Sequence, residues 1–344
     1  MSRLLSTVSA ITFIAGTYAS ADVPKVVADI APIHSLVSRV MDGVGEPKLI
    51  VPNETSPHDY RLRPADAEAI EDANLVFWMG EGLTPWMERA LEALSNDTDI
   101  IEFLALEEST LLSFREGVLF EAHDHSDHDD HDDHDDHDDH DDHDDHDDHD
   151  DHDKDHDDHD DHDDHDDHAG HDHGEYDPHA WLSTNNAKTW LNVIAARLSS
   201  IDPDNAGAYF ANASEARGEM DALDVEINAM LDPVRGGKFV VFHDAYQYFE
   251  TVYDFPASGA ISLGDASDPS AARVAEIANR IKSENIACVL SEPQFNAGLV
   301  KTVMGGTDAT TEVIDPLGFG IEPGKSLYPK LIRAMAQSLV NCLK

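Results

Sequence analysis

Four histidines stand apart from the rest. The chain of 344 residues holds 22, and 18 of them fall between His123 and His173 in one low-complexity block. The four outside it are His34, His58, His179 and His243. Three of these share a local setting. His58 lies in Ser56-Pro57-His58-Asp59-Tyr60, shortly after an apolar run that ends at Val51. His179 lies in Asp177-Pro178-His179-Ala180-Trp181, and His243 in Phe242-His243-Asp244-Ala245-Tyr246, directly after another apolar run. Imidazole nitrogen is a borderline-soft donor, and three of them converging suit Zn2+. A closed tetrahedral site needs one more ligand. Asp315 follows the run 311–314 as His243 follows its own, and is the candidate; Glu292, after 286–290, is a weaker one, and a water is a third. A single histidine at a strand end is more often a cap or a packing residue, so the reading rests on the three together. His34, in Pro32-Ile33-His34-Ser35-Leu36 at the start of a helical stretch, is read as structural.

Something must bring these residues together. Before the block, apolar runs at 26–30, 48–51, 75–79 and 99–103 read as strands, with helical stretches at 64–72 and 85–94 between them. Strands alternating with helices argue for a parallel sheet in an α/β lobe. After the block, 186–200 reads as a helix. A longer one runs over about 203–231, with Tyr209, Ala213, Ala216, Met220, Leu223, Ile227 and Met230 on one narrow face. At about 1.5 Å per residue it spans ~40 Å, enough to connect two lobes. The first pattern then repeats: strands at 238–242, 286–290 and 311–314, helices at 269–284 and 329–343. In open α/β sheets, ligands bind beyond the carboxyl ends of the strands, where the candidate residues stand. The fold class is therefore α/β, with two lobes, each with a mainly parallel sheet flanked by helices. They cover 22–202 and 233–344 and are joined by one long helix at 203–232.

The first 21 residues read as a cleaved export signal. Arg3 supplies the positive charge, a mostly apolar stretch follows, and Ala19-Ser20-Ala21 is an A-x-A cleavage site. No Cys stands at the cleavage site to carry a lipid anchor, and no later stretch approaches ~20 apolar residues, so a soluble periplasmic protein is expected. In an oxidising compartment the even count of Cys288 and Cys342 favours a bridge over two buried thiols. The formal charge is −49, of which 29 aspartates and one lysine between Asp124 and Asp172 carry −28. Such a surface excludes a nucleic-acid partner, which needs a basic footprint, and attracts cations. The block 123–173 repeats His-Asp-Asp almost without interruption, has no apolar residue for a core between His128 and His168, and is expected to be disordered without metal. A three-histidine zinc with an open position could activate water, but the chain has no nucleophile motif and no H-E-x-x-H helix, so no enzyme is expected.

Several motifs together resemble one family. Pro57-His58-Asp59-Tyr60-Arg61-Leu62-Arg63-Pro64, Asp177-Pro178-His179-Ala180-Trp181-Leu182 and Phe242-His243-Asp244-Ala245-Tyr246-Gln247-Tyr248-Phe249 look like signature motifs of the ZnuA-type zinc-binding proteins. Those proteins belong to the cluster A-I (cluster 9) solute-binding proteins of ABC transporters. Ser291-Glu292-Pro293-Gln294-Phe295 and Ile314-Asp315-Pro316-Leu317-Gly318 also match, so the likeness runs from about Lys25 to the C-terminus. The resemblance implies two α/β lobes bridged by a long rigid helix, with one metal site in the inter-lobe cleft. It implies His58, His179 and His243 as the metal ligands, and Zn2+ as a transported ligand captured for the membrane permease of a zinc ABC importer. Capture proteins of this kind are usually monomers. Manganese-specific relatives carry Glu where His243 stands. Many zinc relatives carry Glu just before the first histidine; Pro57 stands there in this chain, which moves the expectation for the fourth ligand to Asp315. The resemblance also implies a Cys288–Cys342 disulfide. It matches the block to a His-rich loop proposed for metal capture, buffering or sensing. The alternatives are a periplasmic zinc buffer acting mainly through that loop, or a Mn2+ or Fe2+ carrier of the same fold.

Overall fold

The computed structural model describes residues 23–95, 98–115, 120, 176–262, 270–294 and 297–344. The expected signal segment, 1–21, and the block 123–173 lie outside the described residues. The chain lays down β1 (Val26–Ala28), α1 (Ala31–Val40), β2 (Lys48–Leu49), α2 (Pro64–Glu71), β3 (Leu75–Trp78), α3 (Pro85–Leu94), β4 (Asp99–Glu102) and α4 (Thr184–Ile201). Then come α5 (Ala206–Leu231), β5 (Phe239–His243), α6 (Gln247–Tyr253), β6 (Ala260–Ser262), α7 (Ala271–Glu284), β7 (Cys288–Ser291), α8 (Ala297–Val303), β8 (Thr310–Val313) and α9 (Leu327–Leu343).

Two four-stranded sheets result, ordered β2-β1-β3-β4 and β6-β5-β7-β8, and every pairing is parallel. Parallel sheets are covered by helices on both faces, which is why β1 and β3 are apolar throughout, β5 is apolar up to its terminal His243, and all three are buried. Helices start where the sequence supplies N-terminal chemistry. Pro lies in the first turn of α1, α2 and α3, and Ser183 and Ser270 cap α4 and α7 by accepting N–H bonds from Asn186 and Arg273. In both sheets the strand order reverses in the middle, between β1 and β3 and between β5 and β7. A crevice opens at such a switch point.

The long helix α5 has 26 residues and spans about 39 Å. Its buried face holds Tyr209, Ala213, Ala216, Met220, Leu223 and Ile227, as the spacing predicts, but it closes on Leu231, not Met230. A step of four from Ile227 keeps the 3.6-residue period on the core side. Pro203 opens a separate 3-10 turn, Pro203–Asn205, just ahead of α5. The helix packs on α1 and α4 of the first lobe and on α9 of the second.

The helix is not the only tie. Tyr328 in α9 donates its backbone N–H to Ser35 Oγ at 2.9 Å and its hydroxyl to the Trp181 carbonyl at 2.8 Å. Asn53 donates to the Ile321 carbonyl at 2.8 Å and also to that of Gly318. One apolar core accordingly runs through α1, α4, α5 and α9 from one sheet to the other. A smaller core, including Val240, Phe242, Ile277 and Val289, lies on the far face of the second sheet under α7 and α8. Cys288 and Cys342 form a disulfide that staples the end of α9 to β7, so the bridge, not two thiols, is the outcome.

Candidate metal centre

His243 is the last residue of β5, and Glu292 follows the last residue of β7. The two strands are neighbours, so both side chains emerge at the switch point of the second sheet. His243 Nδ1 and Glu292 Oε1 are 2.7 Å apart, and both residues are buried. The first sheet answers differently. Asp29 follows β1 and accepts the backbone N–H groups of Ile30 and Met79, both at 2.7 Å. Its carboxyl plugs the gap between β1 and β3, where burial pushes its pKa up to about 7 against those two bonds. One switch point is filled by the chain itself, and the other faces a pocket.

His179 reaches that pocket from the first lobe. It precedes a single 3-10 turn, Ala180–Leu182, and Asp177 fixes it twice. One oxygen of Asp177 lies 2.7 Å from His179 Nδ1 and accepts the His179 backbone N–H at 3.0 Å. Trp181 holds the segment against the second lobe by donating to the Pro316 carbonyl at 2.8 Å. His58 comes from the loop after β2. Trp86 donates to the Pro57 carbonyl at 2.8 Å, and Tyr60 and Arg63 bond to Asp66 at the start of α2, which anchors both sides of the histidine.

The tautomers follow from the partners. An ionised carboxylate only accepts, so His179 and His243 each donate Nδ1–H to their own carboxylate, and each ring, when neutral, keeps a lone pair on Nε2. Those two Nε2 atoms are 3.3 Å apart. Two nitrogens bound about 2.0–2.1 Å from a tetrahedral Zn2+ are about 3.3–3.4 Å apart, so the pair already stands at ligand spacing. The third ring stands farther off: the His58 and His179 centroids are 6.0 Å apart, against 5.1 Å for His179 and His243. Among the described residues, no three His, Cys, Asp or Glu side chains close on one point. The pocket is lined by Ser56, Pro57, His58, His179, Trp181, His243, Glu292, Gln294, Pro316 and Leu317 and has room of about 20 Å³. That is space for one or two water-sized bodies.

The structure thus brings His58, His179 and His243 to one pocket. It gives Glu292 a place behind His243. Asp315 does not line the pocket; it stands next to Pro316 and Leu317, which do. Gln294 donates to Asp315 Oδ1 at 2.7 Å, and the backbone N–H groups of Gly318 and Phe319 donate to Oδ2. Burial raises its pKa despite these donors. His34 is buried in α1, with Nε2 3.1 Å from the Pro47 carbonyl, and burial lowers its pKa.

Two residues behind the site escaped the sequence reading. Asp177 was visible only as part of a motif, although an Asp two residues before a His is placed to bond both its backbone and its ring. Arg115 carries no sequence signal. It forms ion pairs with Asp244 and Glu250, and its guanidinium lies 3.5 Å from the centre of the Phe120 ring. Near it, the Tyr248 hydroxyl accepts the Leu112 N–H at 3.0 Å and donates to the Asp177 carbonyl at 2.8 Å. These contacts join Leu112, Arg115 and Asp177 to the second lobe beside His243.

The chain is similar to known proteins along its length. A family profile described as Zinc-uptake complex component A periplasmic, ZnuA, matches residues 26–342. The high-affinity zinc uptake system protein ZnuA of Brucella abortus (strain 2308) is 46% identical over 346 residues, covering 100% of this chain and 99% of that one. Its counterpart in Paracoccus denitrificans (strain Pd 1222) is 45% identical, covering 94% and 93%. A crystal structure of a ZnuA deletion mutant with zinc bound has the same fold, with a TM-score of 0.67 at 22% identity over 94% of this chain and 99% of that one.

Proposed function

The chain belongs to the ZnuA family of periplasmic zinc-uptake components, and from that premise we propose that it captures Zn2+ on His58, His179 and His243. It is a high-affinity zinc-binding protein of the periplasm, not an enzyme, and its family supplies the membrane permease of a zinc ABC importer as monomers. Residues 1–21 are assigned as the export signal, 22–202 as the first lobe with the block 123–173 inserted, 203–232 as the connecting helix and 233–344 as the second lobe.

One observation carries the site. Two buried ring nitrogens, Nε2 of His179 and Nε2 of His243, stand 3.3 Å apart, with a carboxylate at the other nitrogen of each ring. Two acceptors so placed repel unless a cation or a proton stands between them. A dication is the better occupant, because carboxylate–histidine pairs raise the basicity of a metal-ligating ring and fix its orientation. His58 closes on the ion from the loop after β2. For the fourth position the candidates are Asp315 and a water; Asp315 has to release Gln294 to reach it. Three imidazole nitrogens favour Zn2+ over the harder Mn2+.

The test is a zinc titration of the metal-stripped chain against a competing chelator. One tight Zn2+ that disappears in His179→Ala is the expected result. Tight zinc that persists when His179 and His243 are both replaced by Ala overturns the assignment.

A further inference from the structure

Gln294 lines the pocket with the three histidines. Its Nε2 donates to Asp315 Oδ1 at 2.7 Å. Its Oε1 is buried and accepts no hydrogen bond among the described residues. An ionised Asp315 sets this orientation. Three donors converge on Asp315, from Gln294, Gly318 and Phe319, and a carboxylate so surrounded acts as an acceptor. The amide must therefore turn its NH2 toward Asp315 and its oxygen away. Asp315 is itself tied to the backbone of its own loop and cannot leave without opening it. A buried acceptor is costly unless something in the pocket donates to it.

We infer that Gln294 holds the fourth ligand of the captured ion: a water on Zn2+ donates to Gln294 Oε1, and Asp315 is a positioning residue that acts through Gln294. The inference rests on the three-histidine site. Zn2+ acidifies the water it binds, which makes that water a strong donor to a neutral amide oxygen. A ligand set of three imidazoles and one water adds no negative charge to the ion. That set suits Zn2+ and gives Mn2+ no carboxylate to prefer.

The experiment compares Gln294→Met, which keeps the volume and removes the amide, with Asp315→Ala and the double variant. Gln294→Leu is measured alongside as a second way to remove the amide. Each full chain is stripped of metal and titrated with Zn2+ against a competing chelator, then with Co2+ read by its visible absorption. The expected result is a loss of zinc affinity of about tenfold in each single variant, typical of an outer partner of a metal ligand. The double variant loses no more than either single, because both act on one water. The Co2+ bands shift alike in all of them, which a purely structural role would not produce. The inference is overturned if Asp315→Ala abolishes tight zinc as fully as His58→Ala does while Gln294→Met and Gln294→Leu leave it unchanged or tighter; Asp315 is then the ligand. Tight zinc surviving in His58→Ala overturns the three-histidine site itself, which is a separate outcome.

Discussion

Removing Glu292 should weaken zinc binding without abolishing it. Its Oε1 lies 2.7 Å from His243 Nδ1, and its side chain is almost fully buried. The bond fixes the tautomer that leaves the Nε2 lone pair for the ion. A hydrogen bond to a charged partner is worth about 1.5–3 kcal/mol net. If Glu292→Ala loses most of it only in the zinc-bound state, affinity falls by about 10–100-fold, the usual range for a partner behind a metal-ligating histidine. Glu292→Gln keeps an amide oxygen that can still accept the Nδ1 proton but lacks the charge. Its loss should be smaller, roughly fivefold, for about 1 kcal/mol of charge assistance. The assay is chelator competition on metal-stripped protein, with urea unfolding of the metal-free variants to show that the fold is kept. An affinity unchanged in Glu292→Ala would refute the tautomer argument. A loss as complete as that of His243→Ala would show Glu292 to be a ligand itself.

Arg115 pairs with two buried carboxylates, Asp244 and Glu250, whose pKa values burial already raises. Arg115→Ala should destabilise the protein by about 3–5 kcal/mol at pH 7.5, and by less at pH 5 as the abandoned carboxyls take up protons, by urea unfolding at both pH values. The disulfide joins positions separated by 54 residues. On the chain-entropy model, replacing both cysteines by Ala should cost about 4 kcal/mol, read from the same unfolding curves. Asp29 has a folded pKa of about 7 against an ordinary 3.8. A raised folded value means that its contribution to stability is present below about pH 4 and is lost as pH rises through about 7. At about 1.4 kcal/mol per pH unit the full effect is of order 4 kcal/mol. Between pH 5 and 8, Asp29→Asn should flatten the pH dependence of stability, and an unchanged slope would refute the assignment.

How much of this was legible in the sequence depended on the range of the contacts. β3 and β5 announced themselves because strands buried on both faces need apolar runs, Leu75–Trp78 in one and 239–242 in the other. β6 has only three residues, too few to show any period. In α1, eight of the ten residues are buried, including Pro32, His34 and Ser35, so the sequence shows a helical stretch at His34 without marking where it ends. The three histidines could be picked out because each sits just beyond an apolar run or in a short polar motif. Their supports could not. Arg115 and Asp244 are 129 positions apart, and nothing local to either foretells the pair. The roles of Asp315 and Gln294 were equally hidden. Sequence places a carboxylate after β8, but only the fold shows its oxygens turned to an amide and to its own backbone.

The most direct test is a competitive metal titration of metal-stripped protein lacking residues 123–173, so that the pocket alone is read. One tight Zn2+ per chain, far weaker Mn2+, and loss of tight binding in His58→Ala are the expected results. Only weak zinc binding by the shortened chain would contradict the three-histidine site and place zinc handling in the histidine-aspartate block.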